Sequence, residues 1–77
     1  QATALGNINA ATDGAVGALL AQAGMRGAAL NVRVNLGGID DRSFASACEQ
    51  EVATLLAEAG AVTGRILAAV EARLATT

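Results

Sequence analysis

Histidine, lysine, proline, tryptophan and tyrosine are missing from these 77 residues, and cysteine, methionine and phenylalanine occur once each. Each gap removes a class of chemistry. Without histidine, a typical zinc site and a Ser-His-Asp triad are both excluded within the chain, and no metal is expected. Cys48 stands alone, so it can form neither an internal disulfide nor a cysteine cluster for zinc. With no histidine to activate it, it reads as a small core residue rather than a nucleophile. A single cysteine also fits a reducing, cytoplasmic setting. Five scattered arginines face seven acidic residues, for a net charge of −2. No basic stripe exists, and no nucleic-acid partner is expected. No uncharged run exceeds residues 14–25, short of the ~20 that cross a bilayer, so no membrane partner is expected. Nothing resembles a secretory leader.

What the chain has in excess is aliphatic surface. Hydrophobic residues make up 53%, with mean hydropathy +0.46, and about a quarter of all positions are alanine. The length allows one small domain, which is marginal alone. Two or three short helices cannot hide that much apolar surface among themselves. The excess predicts a partner: a second copy in a homodimer, a larger bundle, or a missing N-terminal half.

The spacing predicts an all-α fold of long antiparallel helices, at about 13–36 and 41–75. Residues 6–12 (GNINAAT) read as a loop, with Thr12 as N-cap and Asp13 in the first turn, where a carboxylate suits the helix dipole. Val16, Leu19, Leu20, Ala23, Gly27, Leu30 and Val34 step by threes and fours and form the expected core stripe of the first helix. Beside them runs a row of small residues: Gly17, Ala21, Gly24 and Ala28. Glycine inside a helix costs about 0.5–1 kcal/mol relative to alanine. The row therefore predicts another backbone in close approach. In the second helix the stripe runs through Phe44, Cys48, Val52, Leu55, Leu56 and on to Leu74, with a kink expected near Gly60 or Gly64.

Residues 30–41 (LNVRVNLGGIDD) are the sharpest feature. Asn31 and Asn35, four apart, share one helix face. Gly37 and Gly38 end the helix, in the left-handed conformation glycine tolerates. Asp40 or Asp41 suits the N-cap of the next helix. Two amides, the guanidinium of Arg33 and two carboxylates thus surround one corner. The amides serve either to fix helix register, as a buried Asn does in a coiled coil, or to hold a ligand. Arg33 is a candidate anion contact.

Residues 6–41 resemble the C-terminal half of the cyclodeaminase/cyclohydrolase family. The resemblance is carried by Gly6-Asn7, Asn9, Thr12-Asp13, Asn31-Val32-Arg33-Val34-Asn35-Leu36 and Asp40, in order and spacing. It implies an all-α homodimer acting on one-carbon tetrahydrofolates. One family reaction opens 5,10-methenyltetrahydrofolate with water; the other closes 5-formiminotetrahydrofolate and releases ammonia. It implies Asp13, Asn31, Arg33, Asn35 and Asp40 as folate contacts, with Arg33 meeting the glutamyl tail. The substrate would be a tetrahydrofolate derivative, without metal. The family's glycine-rich segment and catalytic acid belong to its N-terminal half and do not occur here, so the chain reads as a C-terminal fragment, split subunit or truncated member. Asp13 and Asn35 lie about 33 Å apart along one helix, so an antiparallel partner copy would be needed to bring them together. The alternative is a non-catalytic helical interaction or dimerisation module.

Overall fold

The computed structural model describes the backbone of residues 2–76 and the side chains of residues 8–76. It is a hairpin of two α-helices, α1 (Ala2–Leu36) and α2 (Arg42–Ala75), joined by a five-residue turn. No strand occurs among the described residues. The hairpin measures 60 × 15 × 14 Å, with a radius of gyration of 17.6 Å. A compact chain of this length would have a radius near 11–12 Å. The molecule is a rod with one seam and no central core.

Small side chains make that seam. Ala15, Ala29 and Leu36 are buried on α1, and Ala45, Thr63 and Val70 on α2; among the described residues no side chain is sealed completely. Half-buried Ile8, Ala11, Ala18 and Gln22 extend the α1 side in steps of three and four. This is the heptad-like spacing of helices packed nearly parallel to each other's axes. Alanine at the contact positions lets the two backbones approach closely.

The expected loop at residues 6–12 is instead part of α1, which runs unbroken from Ala2. Thr12 is no cap: its hydroxyl donates to the carbonyl of Ile8 at 2.9 Å, one helical turn back. Asp13 accordingly lies well inside the helix and not in its first turn. The low helix propensity of Gly and Asn is a weak force, and the seam positions Ile8, Ala11, Thr12 and Ala15 override it. Gln1 and Thr77 lie outside the described residues. Nor do the glycines of α2 split it, since the helix is continuous through Gly60 and Gly64. Gly60 faces the seam, where an added Cβ would stand 3.3 Å from Nε2 of Gln22.

The core stripe expected on α1 is not the core of this hairpin. Leu20, Leu30 and Val34 are 69%, 62% and 76% exposed, and Val16 and Leu19 are close to half exposed. The alanine-rich face turns inward because it permits the closer helix approach, and the branched side chains are left outside. Nor does any backbone approach the small-residue row: a Cβ added at Gly17, Gly24 or Gly27 would meet nothing within 4 Å. Replacing Gly24 with alanine is therefore expected to raise hairpin stability by about 0.5–1 kcal/mol. Thermal unfolding followed by circular dichroism checks this; a lower melting temperature would mean that a second molecule packs there. By length and composition α2 is also apolar enough to cross a membrane, and little of its apolar stretch is buried in the hairpin.

Candidate functional site

The corner forms much as its residues dictate. Asp41 is the N-cap of α2, with extended backbone, and its Oδ1 accepts from the amide of Phe44 at 3.0 Å. The end of α1 differs from expectation. Neither Gly37 nor Gly38 has a positive φ. The chain instead leaves the helix through short-range bonds: Gly37 N–H to the carbonyls of Arg33 and Val34, Gly38 N–H to Asn35, and Ile39 N–H to Leu36. Gly37 is useful for its missing side chain, because a Cβ there would sit 3.2 Å from the Val34 carbonyl oxygen. Arg42 completes the turn. Its guanidinium donates from Nη2 to the Leu36 carbonyl at 2.7 Å, and from Nε at 3.1 Å and Nη2 to the Ile39 carbonyl. A cation thus sits on the carbonyl end of α1, where the helix dipole favours it. Sequence reasoning passed over this residue; its signal was a cation at the first position after the N-cap, four residues past a di-glycine.

The corner does not gather the predicted site residues into one cleft. Asp13, Asn31, Asn35 and Asp40 are all exposed, and none lines either of the two cavities described below. Asn31 and Asn35 lie on the side of α1 turned away from α2. They are therefore not buried register pins between these two helices. Asp13 and Asn35 share that outer side of α1, far apart along its length.

Arg33 is placed differently. It reaches across the seam, with Nε 3.9 Å from Oε1 of Glu49 on α2. It also lines a cavity of about 340 Å³, together with Gln22, Arg26, Leu30, Leu56 and Ala57. Gln22 and Arg26 were not singled out from the sequence, although steps of four and seven place Gln22, Arg26 and Arg33 along one helix face. A second cavity of about 210 Å³, on the other flank of the seam, is wholly apolar; Met25, Val32, Val52 and Leu55 are among its walls. Cys48 is a free, half-buried thiol.

Comparison with known proteins adds three findings. Residues 1–54 match the sequence profile described as Formiminotransferase-cyclodeaminase. The chain is also similar to a methenyltetrahydrofolate cyclohydrolase of Methylorubrum extorquens, with 49% identity over 69 residues. That alignment covers 90% of this chain and 33% of the relative, so the chain spans about a third of the relative's length. No solved structure matches.

Proposed function

The chain belongs to the formiminotransferase-cyclodeaminase family, and on that premise we propose that it supplies the C-terminal part of a folate-dependent one-carbon enzyme of the cyclohydrolase type. The observation that carries this reading is the 49% identity to a methenyltetrahydrofolate cyclohydrolase along nearly the whole chain. The substrate in this reading is 5,10-methenyltetrahydrofolate, whose cationic carbon lies between two nitrogens and takes up water to give the 10-formyl compound. Deamination of the formimino compound, the other reaction implied by the family resemblance, is less directly supported by that relative.

A two-helix rod cannot enclose a pterin. The hairpin supplies one wall, and the opposite wall comes from a second copy or from the family's N-terminal half. Exposed Leu20, Leu30 and Val34 support such a partner, because a free chain rarely leaves so contiguous an apolar face in water. Asn31, Asn35, Asp13 and Asp40 then line the joint between walls, where their exposure leaves their amides and carboxylates available to a ligand. Arg33 meets the glutamyl carboxylates. The proton shuttle is not assigned to any of these residues. The reaction in this reading runs in the cytoplasm.

Titration of methenyltetrahydrofolate into the purified chain tests the proposal. The expected result is a rise in thermal stability and a change in the ligand's absorbance, with any hydrolysis measured against the buffer rate. Absence of both signals would favour the second reading, a helical interaction module, for which the same exposed face is the supporting observation.

A further inference from the structure

Of the chain's five cations, Arg26 and Arg33 converge on one groove, beside the amide of Gln22. Seven residues separate them, about 10 Å along the helix axis. Their guanidinium groups can therefore close on two anionic oxygens several ångströms apart, or clamp one carboxylate from both sides. The side chains of Leu30, Leu56 and Ala57 complete the lining and suit an apolar or aromatic stem. The only acid paired with either arginine among the described residues is Glu49, at 3.9 Å from Arg33, the long end of an ion pair, with the two side chains 38% and 61% exposed. Arg26 is exposed and has no ion-pair partner among the described residues. In a chain of net negative charge, two cations thus line one groove with a single loose counter-ion.

We propose that this groove, built from Gln22, Arg26 and Arg33, seats the carboxylate-bearing arm of the ligand, and that Glu49 is an internal competitor which that arm displaces from Arg33. For the identity of the arm, a benzoylglutamate, the proposal rests on the folate reading above; for its chemistry it rests on the groove alone. An incoming carboxylate replaces a long, solvent-screened pair with shorter charge-assisted hydrogen bonds. Glu49 thus sets affinity by competing for a ligand contact, which a merely structural salt bridge would not do.

The test uses the full chain and three probes: p-aminobenzoylglutamate, p-aminobenzoate and methenyltetrahydrofolate, each titrated calorimetrically. Expected is that p-aminobenzoylglutamate binds more tightly than p-aminobenzoate. Arg26→Gln and Arg33→Gln should each weaken it about tenfold, the size of one lost charge-assisted hydrogen bond. Glu49→Gln should tighten it about threefold, the reach of an exposed ion pair. Helix content by circular dichroism should stay constant throughout. If p-aminobenzoylglutamate does not outbind p-aminobenzoate, or if the arginine variants bind it like the parent, the groove is not the site. Should methenyltetrahydrofolate still bind in that case, the folate reading survives without it. Arginine-dependent binding of p-aminobenzoylglutamate with no gain from the pterin would keep the groove and assign the pterin to a wall that this hairpin does not supply. Weaker binding by Glu49→Gln would overturn the role given to Glu49.

Discussion

Replacing Arg42 with alanine is expected to destabilise the hairpin by about 2–3 kcal/mol, the upper range for hydrogen bonds to a charged group. The reason lies at the turn. Helix α1 ends with carbonyls that no helical amide can reach. One guanidinium reaches two carbonyls at once, that of Leu36 at the end of α1, which also accepts from the Ile39 amide, and that of Ile39 in the turn, and it brings a positive charge to the negative end of the helix dipole. Leu36 is itself one of the few buried residues, so loosening its carbonyl disturbs the seam where the two helices first meet. A rod held by one seam of mostly small side chains has little stability in reserve. Arg42→Lys should recover only part of the loss, because a lysine ammonium is a point charge and lacks the planar fork. Exposed Arg65 offers the comparison: Arg65→Ala should change stability by less than about 0.5 kcal/mol. Urea unfolding at fixed chain concentration, followed by helix signal, separates these outcomes. Equal effects of Arg42→Ala and Arg65→Ala would show that the turn closes without the clamp.

Introducing glutamate at Leu20 and Val34 together is expected to abolish association with a second copy. Both side chains are more than two-thirds exposed in the hairpin, so the substitutions disturb little of its own packing. Burying each parent side chain against a partner is worth about 1.5–3 kcal/mol. A twofold interface uses the same patch on both copies. The double variant would therefore set four carboxylates into one apolar contact. The dissociation constant should rise at least ~100-fold, equivalent to about 2.7 kcal/mol. Sedimentation equilibrium should find the parent dimeric and the variant monomeric at the same concentration, with helix content retained. A monomeric parent would instead leave the face to a different polypeptide, such as the family's N-terminal half.

Composition and spacing were enough to settle that the chain is all helix and where it turns. Gly37-Gly38 followed by Asp40-Asp41 locates the corner, because a helix stop beside a carboxylate cap is a local, backbone-level signal; Asp41 caps α2 as its position predicts. The Gly6-Asn7, Asn31, Asn35 and Asp40 pattern likewise pointed to the family that residues 1–54 match. The start of α1 differs from the reading of residues 6–12 as a loop, because their Gly and Asn have poor helix propensity, while seam positions such as Ile8, Ala11 and Thr12 are half-buried in the packed pair. Which face of α1 turns inward was decided only by the packed pair. Periodicity marks Leu20, Leu30 and Val34 as a stripe, yet two helices gain more by closing on Ala15, Ala29 and Ala45. The same holds for the groove at Gln22, Arg26 and Arg33. Its walls come from both helices, and only their antiparallel register brings Leu56 and Glu49 of α2 opposite those residues.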